Sequence, residues 1–412
     1  MSNPDVLERF IRYVQINTRS DESITDRTPT TEAQWDLARL LEKELRAIGL
    51  QDVELNDKCF LTARLPGNSN KKIPVIAFLA HLDTSPDFNG EGVMPQIIEN
   101  YDGNDIPLKG KAGMVLSARE FPELSDYEGK TLVTTDGTSL LGADDKAGIA
   151  EIMSAMSYLS THPEVEHGTI CVAFTPDEET SYGISHFDVQ RFGADIAYTL
   201  DGGKLGELEY ENFNAGRALV RVQGRSVHPG EAKGVMVNAQ LVLMEFNGML
   251  PVEQRPEFTA GREGFFHLWK TAEGGVEQAE GVYLIRDHDA QKYDEKKQLL
   301  QQCADFLNRK YGAGTVELRI EEQYRNMREV LEPVFHVVET AQQALIELGI
   351  EPIINPIRGG TDGARLSYMG LPTPNIFTGG HNFHGPYEFI CVETMEKAVE
   401  VVLKIIQLYA NK

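Results

Sequence analysis

Residues 73–83 read IPVIAFLAHLD. The nearly continuous apolar run from Ile73 to Ala80 has the length and texture of a strand buried on both faces, and it ends on His81 and Asp83. Strands of that kind belong to parallel sheets with helices on either side. Two further runs repeat the texture, ICVAF at 170–174 and IAYTL at 196–200. Between and before them lie helical periodicities. Leu7, Phe10, Ile11 and Val14 form one apolar stripe; Trp35, Leu37, Leu41, Leu45 and Ile48 form a second that stops at Gly49; Ile149, Ile152, Met153 and Met156 form a third. Strands alternating with helices predict an α/β fold built on a doubly wound, mostly parallel sheet.

Working outward, the texture changes after about residue 210. Strand 218–222, helix 235–249, strands 265–269 and 282–286, helix 291–311 and strand 315–320 succeed one another in the order βαββαβ, the ferredoxin-like arrangement. The α/β texture then resumes with a helix over 332–348, strands at 353–357 and 375–378, a short helix over 363–368 and a closing helix over 394–408. The expected organisation is a discontinuous catalytic domain, 1–210 with 325–412, carrying an inserted domain over 211–324.

The chain has 412 residues, 63 acids against 39 bases, and a formal charge of -24. That charge repels phosphate backbones and anionic membrane surfaces, so neither nucleic acid nor membrane is an expected partner. The first ten residues lack the basic and apolar regions of a signal peptide, and no apolar run approaches the ~20 residues of a spanning helix. Cys59, Cys171, Cys303 and Cys391 stand far apart with no CxxC pair, which disfavours thiolate metal sites and disulfides alike. A soluble protein of the cytoplasm is the expectation.

In an open α/β sheet, ligands bind beyond the carboxyl ends of the strands. After the run 73–80 come His81 and Asp83; after 170–174 come Asp177, Glu178 and Glu179; after 196–200 comes Asp201; after 375–378 come His381 and His384. A fifth cluster, Asp144-Asp145, stands at the start of a helix. Each has an ordinary account. Asp144 and Asp145 can cap their helix, and a Glu-Glu pair is commonly a solvated loop. Gathered at the ends of one sheet, imidazoles and carboxylates without thiolates suit Zn2+, with Mn2+ or Co2+ as substitutes. Residues i and i+2 of an extended segment share a side, so the Asp83 carboxylate can accept the second ring N–H of His81. Adjacent Glu178 and Glu179 point apart, which lets one bind metal while the other acts as a base. A two-metal site also needs a carboxylate that bridges, and the Asp144-Asp145 pair can supply it.

The stretches IAFLAHLDTSPDFNG (76–90), TTDGTSLLGADDKAGIAEIM (134–153), VAFTPDEET (172–180), YTLDGG (198–203), SVHPGEAKGVMVNA (226–239) and PIRGGTDGARLSYMGLPTPNIFTGGHNFHGPYE (356–388) resemble, in this order, the co-catalytic zinc exopeptidases. That family includes glutamate carboxypeptidase, dipeptidases and the desuccinylase of lysine biosynthesis. The resemblance covers essentially the whole chain and implies a metallo-aminopeptidase that hydrolyses the N-terminal peptide bond of short peptides, preferentially tripeptides. It implies two zinc ions per chain, one on His81, Asp144 and Asp201, the other on Asp144, Glu179 and His384. It further implies Asp83 as the orienting carboxylate, Glu178 as general base and His228 as the group that polarises the substrate carbonyl. The small sheet of the inserted domain has edges that need cover, and relatives pair such edges, so a homodimer through that domain is an expectation that the resemblance itself does not fix. Arg358 is a candidate for a peptide carboxylate and Asn238 for a substrate contact; a surface salt bridge and a helix-face polar group are their ordinary accounts. His381 is expected to be a loop residue. The rival expectations are another di-zinc amide hydrolase of this scaffold (a deacylase, carboxypeptidase or dipeptidase) and a non-catalytic metal-binding protein.

Overall fold

Strand Ile76–His81 is buried at all six positions, and its side chains divide between two apolar clusters. In the computed structural model, which describes residues 5–180, 183–272 and 274–412, Ile76, Phe78 and Ala80 join Val172, Phe174, Tyr198 and Leu200 in the largest apolar cluster. Ala77 and Leu79 turn the other way, with Cys171, Ala173 and Ala197. Successive residues of a strand point to opposite faces, so a continuous apolar run builds two cores at once. The first face lies under helices Asp5–Val14, Ala143–Thr161, His336–Glu347 and Val392–Ala410, whose apolar stripes fill the same cluster. The second face takes Ile184, Phe187, Phe192, Leu366 and Leu371, from shorter elements.

Contacts divide the chain into two units. The first takes the chain up to Tyr210, then Glu329–Ile354 and Thr361–Lys412; the second takes Glu211–Arg328 with Asn355–Gly360. From sequence, residues 325–328 and 355–360 are expected with the catalytic domain. They sit with the second unit because side-chain and backbone bonds hold them there. Asn326 exchanges hydrogen bonds with Asn212 and Asn214, the Ile357 N–H donates to the Glu211 carbonyl at 2.8 Å, and His288 Nε2 meets the Ile357 carbonyl at 3.0 Å.

The first unit carries a seven-stranded sheet in the order Gln51–Leu55, Leu61–Leu65, Ile170–Thr175, Ile76–His81, Ile196–Gly202, Asn375–Phe377, Leu208–Glu209. Its four consecutive strands from Ile170–Thr175 to Asn375–Phe377 run parallel, and the remaining three pair antiparallel at the edges. Ile76–His81 has Ile170–Thr175 on one side and Ile196–Gly202 on the other, so the connections diverge around its carboxyl end. A second antiparallel sheet, Gly380–His381, Phe389–Cys391, Leu132–Thr134 and Gln96–Ile98, has no counterpart among the predicted elements. The strand expected at 353–357 is absent as such; only isolated bridges at Ile353 and Ile357 mark it.

The second unit is the predicted βαββαβ. Strands Asn214–Gln223, Phe265–Thr271, Gln278–Asp287 and Val316–Tyr324 form an all-antiparallel sheet in the order Phe265–Thr271, Gln278–Asp287, Asn214–Gln223, Val316–Tyr324. Helices Ala239–Gly248 and Ala290–Tyr311 supply Val242, Phe246, Leu300, Cys303 and Leu307 to its core. The first of these helices starts at Ala239 rather than 235, because the Asn238 side chain accepts the N–H groups of Gln240 and Leu241 and caps it there. No helix among the described residues is long and apolar enough to cross a membrane. All four cysteines are free and buried.

Candidate metal centre

The carboxyl ends of the parallel strands deliver the chemistry. Strand Ile76–His81 ends on His81, in register with Thr175, and the chain after Thr175 turns through Asp177 at φ 59 to present Glu178 and Glu179. Asp201 is the next-to-last residue of the strand Ile196–Gly202. Asp144 and Asp145 leave helical geometry within Ala143–Thr161, with φ/ψ of −85/103 and −121/33, and the peptide between them is cis. His384, at φ 66, stands in the loop between Gly380–His381 and Phe389–Cys391.

These side chains form two groups that share one member. His81, Asp144 and Asp201 offer ligand atoms within 4.8 Å of one another, and so do Asp144, Glu179 and His384. His81 Nε2 faces Asp144 Oδ1 at 2.8 Å and Asp201 Oδ1 at 3.6 Å. His384 Nε2 faces Asp144 Oδ2 at 3.3 Å and Glu179 Oε1 at 3.1 Å. The two oxygens of Asp144 thus address different imidazoles. Asp145 does otherwise: its Oδ2 accepts the His81 backbone N–H at 3.0 Å.

Burial and crowding set the charges. Burial lifts Asp201 to about 6 against the pull of His81. It lifts Glu179 to about 7, with repulsion from Asp144 adding to it. Glu178 is pushed well above the usual carboxylate range by burial and by Asp201. Burial opposes charge on the imidazoles too, but hydrogen bonds to Asp144 and Glu179 outweigh it at His384, which rises to about 12; Asp201 and Asp144 raise His81 likewise. Asp144, despite burial, is held below its ordinary value by the two histidines. Four carboxylates around two imidazoles are more acids than the imidazoles can neutralise, and three of the four are held up towards their protonated forms as a result. Two divalent cations, by displacing those protons, fit that crowding of acids and that oxygen and nitrogen donor set.

The model of peptidase family M20/M25/M40 matches residues 135–408, which include every member of both groups except His81. Peptidase T of Alkaliphilus oremlandii is 57% identical over 409 residues, covering 99% of this chain and all of the relative. The chain belongs to peptidase family M20/M25/M40. Peptidase T of Geobacillus kaustophilus is 54% identical over 408 residues, 99% of each chain. Among solved structures, aminopeptidase PepT of Bacillus cereus superposes over the full length of both chains with a TM-score of 0.78 at 22% identity. A Bacillus subtilis structure described as a dinuclear metal binding peptidase of the M20 family gives 0.67 at 12%, over 99% of this chain and 98% of its own.

Around the ligand groups of this M20 chain stand residues whose parts the sequence only half discloses. The His81 Nδ1 lies closer to the Asp83 carbonyl, 2.9 Å, than to its carboxylate, 3.4 Å. That carboxylate is occupied elsewhere, accepting the backbone N–H of Glu178 at 2.9 Å and of Glu179 at 3.2 Å. Asp83 therefore ties the end of one strand to the loop of its neighbour. Glu388, which no motif argument singles out, accepts three amides of the Asp144 segment, those of Leu141, Gly142 and Asp144, at 2.7, 2.8 and 3.1 Å. Its only sequence signal is its place four residues after His384. His381 is no free loop residue. It sits in the short strand Gly380–His381, stacks on Phe389 and bonds the Tyr127 hydroxyl at 2.6 Å. Burial lowers it to about 4, so it stays neutral.

The remaining candidates lie in the second unit. His228 is exposed, and its Nδ1 accepts the Gly230 N–H at 3.2 Å, which leaves Nε2 as the ring's donor. The Arg358 guanidinium donates to the carbonyls of Gly261 and Glu263, at 2.7 and 3.1 Å, and to Thr259 Oγ1 at 2.9 Å. It also lies over Phe213 and Phe265. Among the described residues no acid holds it, so its ordinary account, a surface salt bridge, gives way to contacts with carbonyls and a hydroxyl. Asn238 caps its helix.

A metal must displace the protons of His81 and His384, both of which the surrounding carboxylates hold above the ordinary imidazole value. Glu179 and Asp201, lifted to about 7 and about 6, must lose theirs as well, so loading should release protons, and apparent affinity should rise with pH from about pH 6 upward without levelling off near neutrality, because His384 holds its proton to about 12. Calorimetric titration of the metal-free protein in buffers of different ionisation enthalpy reads this directly; heats independent of buffer would contradict it.

Proposed function

We propose that this chain is a two-zinc aminopeptidase that removes the N-terminal residue from short peptides, tripeptides above all. The observation that carries the reading is the pair of ligand groups joined by Asp144, with Glu178 anchored beside them through Asp83. The peptidase T relatives, alike over the whole chain, support the peptide substrate. We assign His81, Asp144 and Asp201 to one zinc and Asp144, Glu179 and His384 to the other. Bound there, zinc supplies Lewis acidity, polarising the scissile carbonyl and acidifying the attacking water.

The chain's own residues do the rest. Asp83 fixes the backbone of Glu178, so the carboxylate meets the water in a set direction. Glu178 takes a proton as the water attacks and returns it to the leaving amine. Burial and Asp201 push its carboxyl well above the usual carboxylate range, and cations nearby would lower it again, so that the group can both accept and yield a proton. His228, whose Nε2 carries the ring proton, donates it as a hydrogen bond to the carbonyl oxygen as that oxygen becomes an oxyanion. The four free, buried cysteines support a reducing cytoplasm as the compartment. We also propose that two copies pair through the second unit, whose edge strand Phe265–Thr271 exposes Leu268 and Trp269. Sedimentation velocity at micromolar concentration distinguishes one copy from two.

Glu178→Gln should keep two zinc ions by elemental analysis and lose kcat by about 10²-fold or more; wild-type kcat would remove Glu178 as base. Product analysis on a tripeptide and its N-acetylated form separates the rival hydrolases: an aminopeptidase releases the first residue and stalls on the blocked amine, whereas a deacylase requires the acyl group. Zinc bound without hydrolysis of any peptide would leave the non-catalytic reading standing. For Arg358 the proposed contact with the peptide carboxylate predicts that Arg358→Met raises KM while kcat holds. If its carbonyl contacts are its whole role, thermal stability falls and KM does not move.

A further inference from the structure

The two histidines of the centre are held very differently. His81 is 3% exposed, walled by the sheet, with its Nδ1 on Asp83. His384 is 40% exposed and stands in a loop at positive φ, so packing confines its ring less than it confines that of His81. Its Nε2 nevertheless faces Asp144 and Glu179, at 3.3 and 3.1 Å, and its Nδ1 faces Asp87 Oδ2 at 3.2 Å.

We propose that Asp87 is the positioning residue of His384, accepting its Nδ1–H and so aiming Nε2 at the second metal. The inference rests on the two-metal reading above and extends it to a residue outside both ligand groups. A ligating histidine gives its other N–H to a carboxylate or carbonyl in most metal sites, which sets tautomer and ring angle together. Here both acceptors come from one segment. Asp83 and Asp87 lie four residues apart in HLDTSPD, just past the central strand. That segment is itself pinned. Thr84 N–H donates to the Thr18 carbonyl at 3.2 Å, Ser20 N–H to the Thr84 carbonyl at 3.0 Å, and the Arg19 guanidinium to the Pro86 carbonyl. The Asp87 N–H closes the turn on Ser85 Oγ at 3.3 Å. An exposed ion pair of two freely moving side chains contributes little. Asp87 instead stands on a braced backbone, and its partner's other nitrogen is committed.

The test compares wild type with Asp87→Ala, Asp87→Asn and Asp87→Glu, reading zinc by competition with a chromophoric chelator and geometry by the absorption of the cobalt-substituted protein. Wild type should bind two ions. In Asp87→Ala one of them should weaken by about 10- to 100-fold while the other keeps its affinity; one cobalt band should shift, and Asp87→Glu should recover part of the loss. The metal-free variant should melt like metal-free wild type, since no core contact is removed. Wild-type affinity for both ions in Asp87→Ala, or equal loosening of both, would overturn the assignment of Asp87 and leave the two-metal reading intact. A wild type that binds no metal would overturn that reading first, and this inference with it.

Discussion

One carboxylate facing two imidazoles organises the centre. Asp144 sends Oδ1 to His81 and Oδ2 to His384, and every other member of the site is arranged about that division. Carboxylates are costly to gather in a low-dielectric crevice, because each resists ionisation and repels the next. Glu178, Glu179 and Asp201 are all raised, in the direction that cost requires. The backbone meets part of it with fixed donors: amides of Glu178 and Glu179 on Asp83, and amides of Leu141, Gly142 and Asp144 on Glu388. Cations would offset the remainder, which makes the same repulsion a reason for metal affinity.

The parallel sheet sets where these groups can meet. His81, the Glu178-Glu179 loop and Asp201 issue from neighbouring strands, so their spacing is inherited from the distance between paired strands. Apolar clusters on both faces of those strands hold them between two packed layers. The Thr175 hydroxyl donates to the buried Asp362 at 2.7 Å, tying a short helix on the face of Ala77 and Leu79 to the ligand loop.

Much of this is legible from sequence because buried parallel strands announce themselves as apolar runs, and the residues just after each run must lie at the sheet's carboxyl edge. His81, Glu178, Glu179 and Asp201 could be placed near one another on that ground alone. The choice between Asp144 and Asp145 could not, since neighbours in a loop point where the backbone turns them; the structure turns Asp145 onto the His81 amide. The sheet of Gln96–Ile98, Leu132–Thr134, Gly380–His381 and Phe389–Cys391 is assembled from strands of two or three residues, too short for any periodicity to show. Asp87 and Glu388 escaped for a related reason: each acts on a residue far along the chain, and nothing in its own neighbours marks it.

The reach of Glu388 has a consequence for how the molecule comes into being. Its bonds to Leu141, Gly142 and Asp144 span 244 to 247 positions. During synthesis the first 200 residues carry His81, Asp144, Glu179 and the strands that bear them, yet the carboxylate that holds the Asp144 segment and the imidazole that completes the second group are still to be made. Contacts so distant in sequence close late. A growing or broken chain thus has most of the donors without the arrangement, and hydrolytic capacity belongs only to a chain whose last hundred residues have folded back onto its first half.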